Sequence, residues 1–145
     1  MGYTFNTRCP SCSGINRVPT ERIAESPVCG KCQTPLLDGA PIEGTDLNFT
    51  AILNSDVPVV VDFWAPWCNP CVGFAPVFAD EASERANNVR FVKVDTESQP
   101  NLAAMYQIRS IPTVMVFKNG KRVDMVNGAL PKSQFNQWLS QAILK

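Results

Sequence analysis

The chain has 145 residues, 45% of them hydrophobic, which allows one full domain and a small extra module. Lys and Arg total 13 against 13 Asp and Glu, and the resulting formal neutrality argues against a broad electrostatic footprint for nucleic acid or an anionic membrane. Histidine is absent, which excludes a Cys–His nucleophile, a Ser–His–Asp triad and any zinc site built on imidazole.

No apolar run approaches the roughly 18 residues needed to span a bilayer. The opening Met1-Gly2-Tyr3-Thr4-Phe5-Asn6 lacks the apolar centre of a signal peptide, so a cytoplasmic location is expected. Residues 1–40 hold four cysteines, several prolines and few large apolar side chains, and read as a separate module. Leu36-Leu37-Asp38-Gly39-Ala40-Pro41 reads as the linker out of it, with a second domain over residues 41–145.

From about residue 42 the pattern is that of an α/β domain. Thr45 is expected to cap a helix carrying Leu47, Phe49, Ile52 and Leu53. Val59-Val60-Val61-Asp62-Phe63-Trp64 reads as a strand buried on both faces. A helix follows from near Cys68 to about Asn87, with Phe74, Val77, Phe78 and Ala82 inward and a kink expected at Pro76. Residues 89–95 form a second strand. Ser98 is expected to cap a short helix with Pro100 in its first turn and Leu102, Met105 and Tyr106 on its apolar side. Asn119-Gly120 between two apolar runs is a hairpin signal. A last helix carries Phe135, Trp138, Leu139, Ala142 and Ile143 on one face. This order predicts a mixed central sheet flanked by helices.

Six cysteines fall into three Cys-x-x-Cys pairs. Cys9-Pro10-Ser11-Cys12 and Cys29-Gly30-Lys31-Cys32 are separated by sixteen residues, a spacing specific for a tetrahedral zinc site. Four thiolates on Zn²⁺ leave a net charge of −2, which Arg8, Arg17 and Lys31 can offset. Four protein ligands leave no open position, so the metal is expected to be structural. Gly14 and Gly30 are expected to allow the tight turns that aim backbone N–H groups at sulfur. Two disulfides, free thiols or iron in a similar four-sulfur site remain open on spacing alone.

Cys68-Asn69-Pro70-Cys71 lies where the first strand ends and a helix begins. Unpaired N–H groups at a helix N-terminus favour thiolate over thiol, and thiolate is the nucleophile. A cysteine one turn later can reach the first sulfur. Cys68 is therefore expected to attack and Cys71 to resolve. A third metal knuckle is the alternative, but the other four cysteines already complete a set. Asp62 is the one polar residue in its apolar run, so burial should raise its pKa and make it a proton acceptor for Cys71 through water. A solvated strand edge is the alternative. Lys93 lies mid-strand, either paired with Asp62 or solvated.

Phe63-Trp64-Ala65-Pro66-Trp67-Cys68-Asn69-Pro70-Cys71, with Pro76, Ile111-Pro112-Thr113 and Gly128-Ala129-Leu130, resembles the thioredoxin family over about residues 42–145. With the cysteine-rich front, the whole chain resembles its zinc-containing branch. The resemblance implies a thioredoxin fold behind a zinc ribbon, and reduction of protein disulfides by a monomer. It implies recharging by a separate reductase of the thioredoxin-reductase type, with zinc and no organic cofactor. It also implies a buried acid at Asp62, a cis bond before Pro112, and substrate contacts from Trp67, Asn69, Pro70, Ile111, Pro112 and Gly128. Asn69 stands where Gly is usual, Val72 where Lys is frequent, and Asn127 where an apolar residue is common. Asn69 keeps open a net oxidant or isomerase, and a ribbon-bearing interaction module is the reading from another class.

Overall fold

The structure is a computed structural model that describes residues 4–9, 11–12, 14–19, 27–36, 39–86 and 88–145. Five strands make the main sheet: β3 (Ile42–Glu43), β4 (Val59–Trp64), β5 (Arg90–Asp95), β6 (Thr113–Lys118) and β7 (Lys121–Asn127). Their order is β3-β5-β4-β6-β7, with β3, β5 and β4 parallel and β6 and β7 antiparallel additions. This is the mixed sheet that the sequence predicts. Strand β4 is central, and Val59 through Phe63 are buried.

Alternation along β4 sorts its residues between two cores. Val59, Val61 and Phe63 meet Phe49 and Ile52 of α1 (Phe49–Leu53) and Leu102 of α3 (Pro100–Met105). Val60 lies on the opposite face, under Phe74 and Phe78 of α2 (Asn69–Glu84) and Phe135 and Leu139 of α4 (Lys132–Ala142). Full burial of each such side chain contributes about 1.5–3 kcal/mol. Asp62 shares the α2 face by the same alternation, and this places a carboxylate in an apolar layer.

The Asn119-Gly120 turn has φ of +53° and +79°. Two successive positive φ values make the tight turn whose twist matches a hairpin. Pro76 does lie inside α2, and the helix ends at Glu84, before the expected limit at Asn87, which is outside the described residues.

Local polar competition explains three departures. Leu47 falls in a turn before α1, where Asn48 Oδ1 accepts from the Thr45 N–H at 2.7 Å and Thr45 Oγ1 from the Leu47 N–H at 3.3 Å. Leu47 is accordingly 93% exposed, and Asn48 rather than Thr45 takes the cap position. Ser98 does not cap α3, because its hydroxyl donates to Asp95 Oδ2 at 3.2 Å. Met105 points to solvent, and Leu102 with half-buried Tyr106 supplies the apolar side of that helix.

At the front, β1 (Thr4–Arg8) and β2 (Ile15–Pro19) form an antiparallel hairpin that periodicity did not reveal. Cys9, Val18, Cys29 and Leu36 make a small core closed by Val57 of the following domain. Leu36 therefore packs inside the module, not in a linker; Leu37 and Asp38 lie outside the described residues.

Polar groups join the two parts. The Asn6 N–H donates to Asp56 Oδ2 at 2.7 Å, and the Asp56 N–H returns to the Asn6 carbonyl at 3.0 Å. Buried Thr7 Oγ1 accepts from Ser55 Oγ and from Nη1 of Arg90, a guanidinium-bearing residue only 2% exposed. Removing an acceptor from a buried cation costs about 1–3 kcal/mol. Thr7→Val keeps the shape and is expected to lower stability by that amount in urea unfolding, while Thr7→Ser holds near the unsubstituted value.

Candidate active site and metal centre

Strand β4 ends at Trp64, and the Ala65-Pro66-Trp67 turn brings the chain directly into α2. Cys68 occupies the N-cap with extended φ and ψ, and its Sγ accepts the Cys71 N–H at 3.3 Å. The turn closes because the Cys68 N–H reaches the Ala65 carbonyl at 3.2 Å. Pro70 sits in the first helical turn, where its missing N–H costs nothing.

Cys68 and Cys71 form a disulfide with a Cα–Cα distance of 5.2 Å. Cys68 is 6% exposed and Cys71 1%, so the outer sulfur is the one an incoming group reaches first. Asn69, Pro70, Trp67 and Val72 are exposed around it.

The opposite wall is the segment before β6. The Ile111–Pro112 bond is cis, and the Ile111 carbonyl oxygen is 3.8 Å from Cys68 Sγ. Gly128 has φ of +102°, a conformation that suits glycine, and its N–H donates to the Pro112 carbonyl at 2.8 Å. Cys68, Ile111, Pro112 and Gly128 thus come together from three segments distant in sequence.

Asp62 is fully buried, and neither carboxylate oxygen has a hydrogen-bond partner. Burial pushes its pKa up to about 7, against a smaller opposing pull from the Lys93 charge. Asp62 and Lys93 are register partners across β4 and β5. Their side chains nonetheless make no ion pair, because the Lys93 ammonium lies 4.2 Å from the Trp64 ring centroid, in cation–π contact.

In the front module the Sγ atoms of Cys9, Cys12, Cys29 and Cys32 all lie within 4.8 Å of one another. Cys9 to Cys32 and Cys12 to Cys29 are each 3.5 Å. Zn–S bonds of about 2.3 Å in a tetrahedron require S···S separations of about 3.8 Å, so the four sulfurs can close on one ion with small adjustment.

Their donors also suit thiolates. The N–H groups of Ser11 and Cys12 reach Cys9 Sγ at 3.3 and 3.4 Å, and Lys31 N–H reaches Cys29 Sγ at 3.4 Å. Backbone N–H groups of Cys32 and Lys31, with the Asn16 amide, hold the Cys29 thiol down to about 6. Cys12 gains from the Gly14 backbone, yet its crowded sulfur neighbours, Cys29 first, push it up to about 11. Sulfurs this close ionise together only around a cation, which is what a metal site provides.

The glycines lie in turns that aim backbone N–H groups at sulfur, as expected: the Gly14 backbone reaches Cys12 and the Lys31 N–H, next to Gly30, reaches Cys29. The Gly30 N–H donates to Asn16 Oδ1 at 3.0 Å, not to sulfur, and the Gly14 carbonyl accepts the Cys9 N–H at 2.9 Å. A Cβ at Gly14 would lie 3.2 Å from Lys31 Cδ and 3.3 Å from Cys12 Sγ, so close approach explains that residue. Arg17 and Lys31 are exposed, and the Arg8 side chain lies outside the described groups.

Asn16 and Thr34 were not read from the sequence. The Asn16 amide contacts Cys29 Sγ at 3.5 Å and the Thr34 hydroxyl contacts Cys32 Sγ at 3.1 Å. The only available signal was a short polar side chain beside a knuckle.

Comparison with known proteins finds matches for both parts of the chain. The thioredoxin family model matches residues 40–141, and the model described as the N-terminal part of thioredoxin 2, a zinc ribbon, matches residues 8–34. Thioredoxin C-3 of Corynebacterium nephridii is 43% identical over 136 residues, covering 93% of each chain. Thioredoxin 1 of Nostoc sp. is 50% identical over 103 residues, covering 70% of this chain and 96% of its own. The thioredoxin structure from Malassezia sympodialis superposes with a TM-score of 0.67 at 34% identity, over 74% of this chain and 94% of that one. With the fold, the disulfide at the head of α2 and these matches, the chain belongs to the thioredoxin family of thiol–disulfide oxidoreductases.

Proposed function

We propose that this protein reduces disulfides in other proteins, with Cys68 attacking and Cys71 resolving. The observation that carries the reading is the placement of Cys68, the more exposed sulfur, on the open amides of α2.

In the reduced state the Cys68 thiolate attacks one sulfur of a substrate disulfide. A mixed disulfide forms and one substrate thiolate leaves. Asp62, neutral and ionised in comparable amounts near pH 7, takes the Cys71 proton through water. The Cys71 thiolate then attacks Cys68 Sγ, the second substrate sulfur leaves as a thiolate and takes back through water the proton held by Asp62, and two electrons have moved to the substrate. The Cys68–Cys71 disulfide that remains must be recharged by an external dithiol donor, a reductase of the thioredoxin-reductase type. Lys93 keeps positive charge near Asp62 and so tunes its proton affinity. Trp67, Asn69, Pro70, Ile111, Pro112 and Gly128 make the surface on which a substrate peptide rests.

We take residues 41–145 as the redox domain and residues 1–40 as the module that Cys9, Cys12, Cys29 and Cys32 close around zinc. When bound, zinc supplies a cross-link for a module with little core of its own. Four reduced cysteines and a reducing pair fit the cytoplasm, where thiols are kept reduced. No described helix is long and apolar enough to cross a membrane. The protein is taken to work as a monomer.

Four outcomes are expected. Cys68→Ser abolishes insulin disulfide reduction, whereas Cys71→Ser accumulates a mixed disulfide visible by non-reducing electrophoresis. A Cys68–Cys71 potential near about −270 mV, the value typical of thioredoxins, supports a reductase, and one near about −120 mV an oxidant. Elemental analysis finds about one zinc per chain, lost in Cys29→Ser, and chelation disorders the module.

The fourth concerns pH. Because the folded pKa of Asp62 lies above its unfolded value of 3.8, the contribution of Asp62 to stability is full below about pH 4 and is lost as pH rises through about 7. Asp62→Asn removes this part of the pH dependence and raises stability of the oxidised protein at pH 8 by up to roughly 4 kcal/mol in urea unfolding.

A further inference from the structure

Asn127 ends β7 directly opposite Thr113, the first residue of β6. Paired residues in an antiparallel ladder place their side chains on one face, so the two can meet. Thr113 is buried at 3% exposure, and its hydroxyl carries one proton. Thr113 Oγ1 stands 2.6 Å from the Ser110 carbonyl oxygen and 2.8 Å from Asn127 Oδ1. Both are acceptors, and one proton cannot serve both. Turning the amide end for end leaves its outline unchanged and puts Nδ2 beside Thr113. The hydroxyl then donates to Ser110 and accepts from Asn127. The second amide proton faces Ser110 Oγ at 3.5 Å, and Oδ1 turns outward.

One residue further on, the Gly128 N–H holds the Pro112 carbonyl at 2.8 Å. Residues 127–128 are thus tied twice to residues 110–113, which carry the cis bond against Cys68. The Asn127 tie also forms one wall of a recess of about 190 Å³, lined in addition by Tyr106, Ile108, Arg109 and Met125. An apolar residue at position 127 has no group with which to close that wall onto Thr113.

We propose that Asn127 is a positioning residue: through Thr113 it clamps the Ile111–Pro112 segment to Gly128 and fixes the width of the groove that receives a disulfide-bearing peptide. The proposal rests on the disulfide-reductase reading and adds to it a determinant of substrate fit. Asn127 does not touch the sulfurs, so its effect falls on binding and not on the exchange step.

The test is steady-state reduction of insulin by the full-length zinc-loaded protein and by Asn127→Ala, Thr113→Val, Thr113→Ser and the Asn127→Ala/Thr113→Val double variant. The first two are expected to raise KM about threefold to tenfold, the size of one neutral hydrogen bond. The double variant is expected to be no worse than the weaker single one, because both remove the same bond. Thr113→Ser brings KM back toward the unsubstituted value, while kcat stays within about twofold and the Cys68–Cys71 potential does not move. Unmoved KM, additive single effects, a loss carried by kcat or a shifted potential would each overturn the clamp. Failure of the unsubstituted protein to reduce insulin sinks the reductase reading instead, so the two failures are distinguishable.

Discussion

A strand buried on both faces cannot leave its sheet gradually, because each residue that departs uncovers backbone groups that water does not reach. β4 solves this by ending at Trp64 and turning at once into α2, so that the first unpaired amides of the helix face the sulfur at its cap. The position of Cys68, the burial of Cys71 one turn later and the location of Asp62 below the helix all follow from that abrupt change. The cis Ile111–Pro112 segment and Gly128 then close the remaining side, brought there by β6 and β7.

The same element, sulfur, is put to two uses by context. At the head of α2 two cysteines sit one turn apart with no further sulfur in their cluster, and they pair with each other. In the front module two knuckles cross, so that Cys9 faces Cys32 and Cys12 faces Cys29. Neighbours within a knuckle are held by backbone N–H groups, an arrangement that stabilises four thiolates together and suits a cation at their centre. Each Cys-x-x-Cys takes its chemistry from what surrounds it.

Buried polar groups mark where the two parts of the chain depend on one another. Arg90 at the start of β5 reaches Thr7 of the front hairpin, at the end of the sheet away from the disulfide. Glu81, fully buried in α2, is held by Arg85 at 2.9 Å and by the Asn136 amide at 3.0 Å, and this joins α2 to α4. Asp62 differs from both, since no donor reaches its carboxylate. Burial without a partner raises its pKa, whereas burial with donors lets Glu81 serve as a joint.

Much of this protein was determined locally and could be read from its sequence. The apolar run of β4, the Asn119-Gly120 turn, the periodicity of α4 and the cysteine spacings depend on neighbours within a few residues. They gave the mixed sheet, the strand-to-helix placement of Cys68 and the four-sulfur set. Polar side chains were harder, because a hydroxyl or amide binds whichever partner the fold supplies: Ser98 turned to Asp95, Asn48 displaced Thr45, and Lys93 settled on Trp64 rather than on Asp62. Leu36 joined the core of the front module for a similar reason, since a hairpin with no helical or strand periodicity visible in sequence had formed beneath it. The bond between Asn127 and Thr113, fourteen residues apart, exists only because β6 and β7 pair in that register. Sequence settled which atoms were available, and tertiary structure decided which of them met, because meeting depends on distances that only the packed sheet fixes.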